Sequence, residues 1–165
     1  MTSGFGRAAM GERLGGFVYG TIVVLAVVVA GAKAYPKQPG HVAVVVFVTT
    51  GVFWLAHVYS EALAHSVTRN EHLSWAELKG IARNEAAIME AAVLPIAALL
   101  LGSIGLLSAS AAGWAAVGAG LAVLAIQGVV FARAERLGRL GTAVVVALNL
   151  GLGLVLVALK VVVTH

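Results

Sequence analysis

The sequence predicts an all-α protein: a single membrane domain of 165 residues, built as a polytopic bundle of five transmembrane helices. Hydrophobic residues make up 61% of the chain and charged residues 11%, whereas a soluble domain carries about 25% charged residues. Too few charged side chains are present to cover a water-soluble surface, so we expect the lipid bilayer to surround most of the chain. Five apolar runs approach the ~20 residues that a helix needs to cross the hydrocarbon core.

The five predicted spans follow the apolar runs in chain order, roughly at 17–34, 42–65, 86–102, 111–131 and 142–164. The segment Ser74–Glu77 has the form of a capping box, which predicts a helix over 74–84 that lies along the membrane interface before the third span. Pro95 lies inside the third span and is expected to kink it, because proline has no amide hydrogen and clashes with the preceding turn. Gly16 and Gly20 form a small-residue pair in the first span, suited to close helix packing within one subunit or between subunits.

The orientation of the bundle follows from the lysines and arginines of the short loops. Eight lie on the side of the N-terminus, and three lie on the opposite side. Because cytoplasmic loops carry the excess of positive residues, we expect the N-terminus in the cytoplasm and the C-terminus outside.

Ionisable residues of the predicted spans collect toward the cytoplasmic end. His57, Glu61 and His65 lie four residues apart on one stripe of the second span, and Glu90 enters the third span at a comparable depth. Charged groups inside a membrane are energetically costly, so each is a candidate for function. We expect a polar cytoplasmic vestibule beneath an apolar outer half. Gln127 and Asn149 add uncharged polar groups to the same half.

Three roles remain open for this stripe. His57, Glu61, His65 and Glu90 are metal-ligand types, but successive helical turns are about 5.4 Å apart and neither HExxH nor ExxH is present. Contact with protons or cations at His57, Glu61 and Glu90 fits better, because histidine titrates near neutral pH and carboxylates attract cations. In the third role the cluster only fixes helix packing.

Other chemistries have little support in the sequence. The chain has no cysteine, which removes thiolate ligands and thiol nucleophiles. Ser60 and Glu61 point to different helical faces, so they do not form a nucleophile with its base. We therefore expect no enzymatic activity and no cofactor. The net charge of +4 is assigned to loop residues that meet anionic lipid head groups, and no basic patch with interleaved aromatic residues predicts nucleic-acid binding.

Short motifs in three predicted helices resemble the small bacterial and archaeal relatives of the endolysosomal potassium and proton channel. The first helix of that family starts with Arg-x-x-x-Phe-Ser-Asp. Arg13 and Phe17 match this motif, whereas Val18 and Tyr19 stand where the family has Ser and Asp.

The second and third helices carry the other two motifs. The family's Phe-Trp-x-x-His pattern is similar to residues 53–57 here, from Phe53 to His57. Its third helix has an Asn followed eleven residues later by Pro, which is similar to Asn84 and Pro95. The family unit has six spans, against the five predicted for this chain.

The resemblance implies an oligomer, usually a tetramer, whose first helix lines a pore narrowed by apolar side chains. The narrowest position of the family falls seven residues after the motif Phe, which is Val24 here, with Val28 one turn further. The resemblance also implies a polar network that holds the subunit together, formed here by Tyr19, Trp54, His57 and Asn84.

We therefore expect an oligomeric cation or proton channel of the prokaryotic plasma membrane. Its expected partners are the lipid bilayer, inorganic cations and further copies of the chain. The alternatives are a metal-binding or metal-transporting protein and a non-catalytic membrane subunit.

Overall fold

The computed structural model describes residues 3–69 and 73–163, and all regular secondary structure in these ranges is α-helical. In chain order the helices are α1 (Ser3–Ala34), α2 (Pro39–Arg69), α3 (Trp75–Asn84), α4 (Ala87–Glu90), α5 (Val93–Ser103), α6 (Ala109–Ala134) and α7 (Arg139–Val163). The long helices have apolar sequences without internal proline, and the breaks between them contain the turn-forming residues.

The helices are compatible with an integral membrane protein. Among the described residues, three are long and apolar enough to cross a bilayer, namely Arg13–Ala34, Pro39–Thr68 and Ala109–Ala134. A fourth crossing exists if Trp75–Glu90 and Val93–Ser103, which meet at an angle of 48°, are counted as one broken span. A shorter apolar stretch, Arg139–Val155, lies in α7. The last predicted residue of the fifth span, Thr164, lies outside the described residues.

The kink expected at Pro95 is confirmed as a complete break in the helix. Residues Ala91 and Ala92 separate α4 from α5, and the Ala92 amide bonds to the Met89 carbonyl at 3.1 Å in a tighter turn than an α-helix. Pro95 excludes the carbonyl oxygen four residues before it from the usual helical bond. That residue is Ala91, so the break falls where the proline ring requires it.

The predicted capping box is also confirmed, and it starts α3 at the predicted residue. The Ser74 hydroxyl accepts from the Glu77 amide at 3.3 Å, and the Glu77 carboxylate accepts from the Ser74 amide at 2.9 Å. No residue of α3 is buried, and the Trp75 side chain is largely exposed. An exposed short helix before an apolar one is suited to the bilayer surface.

Helix α1 lies at the centre of the bundle and packs against α2, α4, α6 and α7. Gly20 allows a close approach to the backbone of α4, because a Cβ atom at this position would lie 2.9 Å from the Ile88 backbone. The predicted small-residue pair therefore serves packing within the chain, between α1 and α4. The hydrophobic core extends from α1 to α2, α5 and α6, and includes Leu25 and Leu99.

One end of the bundle carries most of the charged groups, and we call it the arginine-rich end. Here α2 and α6 end, α7 begins, and α3 and α4 pack beside the first membrane turns of α1. Its exposed arginines are Arg13, Arg83, Arg133, Arg136 and Arg139. The opposite end carries the short loops at 35–38 and 104–108.

Candidate functional site

An ion pair joins α1 to α4 at the arginine-rich end. Arg13 Nη2 donates to both carboxylate oxygens of Glu90, at 2.8 and 3.0 Å. Both side chains are about half exposed, at 56% and 45%, and an exposed pair in water contributes roughly 0–1 kcal/mol. Glu90, expected to contact protons or cations, is thus held by the first residue of the Arg-x-x-x-Phe motif.

His57 packs against the side chain of Tyr19 on α1. The two ring centroids are 4.9 Å apart, and the Tyr19 ring also meets Phe53 edge-on at 6.1 Å. His57 Nδ1 lies 3.0 Å from the Phe53 carbonyl oxygen of its own helix. A carbonyl oxygen only accepts, so Nδ1 carries the proton in this contact. The histidine therefore joins α2 to α1 through ring packing.

Trp54 fastens α2 to α3 by donating from its indole nitrogen to the Ala82 carbonyl at 3.1 Å. The network implied by the resemblance is only partly assembled around it. Tyr19 and His57 touch, whereas Trp54 bonds to a backbone group, and Asn84 lines a separate cleft with Glu61.

The cleft that Asn84 lines lies between α2 and α3 and has a volume of about 460 Å³. We call it the acidic cleft. It is lined by Glu61, His65, Glu77, Gly80, Ile81, Asn84 and Glu85. His65 Nε2 lies 3.6 Å from the Glu77 carboxylate, which is longer than a hydrogen bond. Of the three residues expected in a polar vestibule, Glu61 lines this cleft, whereas His57 and Glu90 do not.

Glu77, at the rim of the acidic cleft and outside the predicted span, has a displaced pKa. Hydrogen bonds from the Ser74 hydroxyl and amide, followed by smaller contributions from His65, lower the pKa of Glu77 from 4.5 to about 2. The carboxylate is therefore ionised at any physiological pH, and it supplies a fixed negative charge to the cleft.

The predicted metal stripe separates into three different environments. His57 faces Tyr19, Glu90 binds Arg13, and His65 lies beside Glu77. Within the described part of the chain, no group of three or more histidine, aspartate or glutamate side chains is arranged to hold a metal ion.

Val24 and Val28, the positions implied as a pore constriction, are fully buried inside the subunit. They belong to the same core cluster as Leu25, Val46 and Leu99. A side chain enclosed by its own subunit cannot line a pore on an axis between subunits. Their placement does not fit the constriction that the resemblance implies.

Another cleft opens between α1, α6 and α7 and has a volume of about 540 Å³. We call it the α1–α6–α7 cleft. Its lining is Gly11, Leu14, Gly15, Val18, Tyr19, Ile22, Gln127, Phe131, Val145, Leu148 and Asn149. The sequence marked Gln127 and Asn149 as isolated polar residues in apolar helices, but gave no sign that they share a cleft.

The two amides of this cleft differ in how they are satisfied. Asn149 Nδ2 donates to the Leu124 carbonyl at 3.3 Å, which ties α7 to α6. Gln127 is 7% exposed, and its Oε1 is buried without a hydrogen-bond partner among the described residues. A buried acceptor without a partner is uncommon in folded proteins and requires an explanation.

Comparisons with protein-family models, with curated proteins and with solved structures give no match. The resemblance to the channel family therefore rests on its three short motifs alone.

Proposed function

We propose that this chain is a non-catalytic, multi-pass subunit of a cell membrane, in which the polar residues of the arginine-rich end hold the helices together. The observation that carries the proposal is that the polar residues considered as candidates for function contact neighbouring helices. Arg13 and Glu90 join α1 to α4, Trp54 joins α2 to α3, and His57 packs on α1. In membranes, polar contacts between helices stabilise their packing against each other.

The orientation proposed for this subunit places the arginine-rich end in the cytoplasm. Five exposed arginines lie at this end, and positive residues are retained on the cytoplasmic side during insertion. Anionic lipid head groups on that leaflet would also attract them.

Enlarging Val24 separates the subunit proposal from a channel lined by this residue. Val24→Phe overpacks the core and is expected to destabilise the fold by about 1–3 kcal/mol, measured as a lower unfolding temperature in detergent. Liposomes that contain the wild-type chain are expected to hold proton and potassium gradients as well as protein-free liposomes. A wild-type flux that Val24→Phe reduces without loss of stability would contradict the proposal.

A second candidate, cation or proton conduction, is favoured by the acidic cleft. Glu61, Glu77 and Glu85 line one space of about 460 Å³, and carboxylates at a cavity mouth concentrate cations. This candidate predicts a cation flux into liposomes that Glu61→Gln lowers, while the matched change Glu135→Gln, on the loop after α6, leaves it unaltered. Equal flux in both variants and in protein-free liposomes would remove this candidate.

A further inference from the structure

The α1–α6–α7 cleft has the size and lining of a small-molecule site. Its volume of about 540 Å³ falls within the roughly 300–1,000 Å³ of ligand pockets. Two glycines of α1, Gly11 and Gly15, leave this space open, since a Cβ atom at either would meet nothing within 4 Å. The cleft is therefore formed by the helices themselves, with small residues where a ligand would lie.

The lining determines the chemistry of a ligand. No lysine, arginine, aspartate or glutamate is among the lining residues that the structure describes. A charged head group would have no counter-ion there, and placing a charge among apolar side chains is costly. Ile22 and Leu148 provide aliphatic surface, while Tyr19 and Phe131 provide aromatic surface. An uncharged, lipophilic molecule with an aromatic ring fits this lining.

Gln127 adds a requirement for one hydrogen-bond donor. Its Oε1 has no partner among the described residues, whereas the neighbouring Asn149 amide already donates to Leu124. The terminal torsion of a glutamine is soft, so the amide can turn its oxygen toward a donor in the cleft. A ligand hydroxyl would satisfy an acceptor that otherwise carries a desolvation cost.

We propose that the α1–α6–α7 cleft binds a lipophilic phenol, whose hydroxyl donates to Gln127 Oε1 and whose ring lies between Tyr19 and Phe131. Asn149 bonds to the α6 backbone and fixes the position of α7 beside the ligand. The site shares Tyr19 with the His57 contact, but it uses neither the Arg13–Glu90 pair nor the Trp54 hydrogen bond, so a failure to bind the phenol leaves the subunit proposal standing.

The test compares 4-nonylphenol with its methyl ether, 4-nonylanisole, by calorimetric titration of the full chain in nanodiscs, with protein-free nanodiscs as the blank. The two probes differ only at the oxygen, where the ether has a methyl group in place of the donor hydrogen. We expect saturable binding of one 4-nonylphenol per chain, roughly ten-fold tighter than the ether. Equal affinities, or no saturable binding above the blank, would overturn the proposal.

Two variants locate the binding. Gln127→Met keeps the side-chain length and removes the acceptor, so the affinity for the phenol is expected to fall roughly ten-fold, to that of the ether. Gly15→Leu fills the cleft and is expected to weaken both probes. Gly118→Leu is its matched control, because Gly118 is another helical glycine with nothing within 4 Å of a Cβ atom, and it does not line the cleft. Equal weakening by Gly15→Leu and Gly118→Leu would place any binding elsewhere.

Discussion

His57 makes two contacts that use different parts of its ring. Its Nδ1 holds the ring to the Phe53 carbonyl at 3.0 Å, and the ring itself packs on Tyr19 with centroids 4.9 Å apart. The second contact joins two helices, whereas the first stays within α2. The part of His57 that contacts α1 is therefore an aromatic surface.

Substitutions at His57 should separate the contribution of its aromatic surface from that of its ring nitrogens. His57→Phe retains the aromatic surface against Tyr19 and is expected to unfold at a temperature close to that of the wild type. His57→Ala removes it and is expected to cost about 1 kcal/mol, the size of an aromatic pair beyond its buried area. The measurement is thermal unfolding in detergent followed by circular dichroism. Equal losses in both variants would show that the ring nitrogens are required.

At the scale of the element, α4 shows why short helices persist in this bundle. Its four residues lie between two breaks, too few to be stable alone. They are held because Ala87 and Ile88 are fully buried and because the Ile88 backbone lies directly against Gly20 of α1. The position of α4 thus depends on the absence of a side chain on the neighbouring helix.

Gly20→Ala should loosen α4 from α1. Its Cβ atom would approach the Ile88 backbone to 2.9 Å, and backbone cannot move aside as a flexible side chain can, so we expect a loss of about 1–3 kcal/mol. Gly51→Ala is the control, since a Cβ atom there meets nothing within 4 Å. Unfolding temperatures compare the two. A Gly20→Ala protein as stable as Gly51→Ala would contradict the packing described.

The start of α3 gives a prediction about pH. Because the Ser74 hydroxyl is the largest cause of the lowered Glu77 pKa, Ser74→Ala should raise that pKa from about 2 toward 4.5. A lowered pKa means that the ionised carboxylate favours the folded helix start above about pH 4.5, and that this support is lost as pH falls toward 2. Carbon-13 NMR of the Glu77 carboxyl measures the pKa directly.

The matched control for Ser74 is a second serine N-cap, Ser108. Its hydroxyl accepts from the Ala111 amide at 3.2 Å, at the start of α6. Ser108→Ala is expected to leave the Glu77 pKa unchanged. A Glu77 pKa that stays near 2 in Ser74→Ala would show that the backbone amide of residue 74 is enough to lower it.

For the whole molecule, the absence of cysteine makes the proposed orientation directly measurable. A single cysteine introduced at Leu106 or at Leu137 lies in an exposed loop, at opposite ends of the bundle. With a membrane-impermeant maleimide on intact cells, we expect labelling of Leu106→Cys and none of Leu137→Cys until the membrane is opened. The reverse labelling pattern would show that the bundle has the opposite orientation.

How much of the fold the sequence predicts depends on which interactions are local. Helix ends set by Ser74 and Pro95 follow from nearby residues, and both expectations are confirmed. The partner of Glu90 lies 77 positions away in the chain, and it depends on how α1 and α4 are rotated relative to each other. The sequence of an apolar helix is equally compatible with a position against lipid, in the protein core or beside a pore. For this reason the sequence alone does not show that Val24 is enclosed in the core, or that Gln127 and Asn149 share a cleft.

The break before Pro95 also bears on the thickness of the surrounding membrane. Residues 87–103, which contain α4 and α5, would span at most about 25 Å as a straight helix, and the bend reduces this reach. The hydrocarbon core of an average bilayer is about 30 Å thick. The apolar side chains that α5 exposes, such as Leu94 and Leu101, thus face a layer deeper than they can match. Lipids along this flank would have to thin locally to match it, so we expect the chain to favour bilayers of shorter acyl chains.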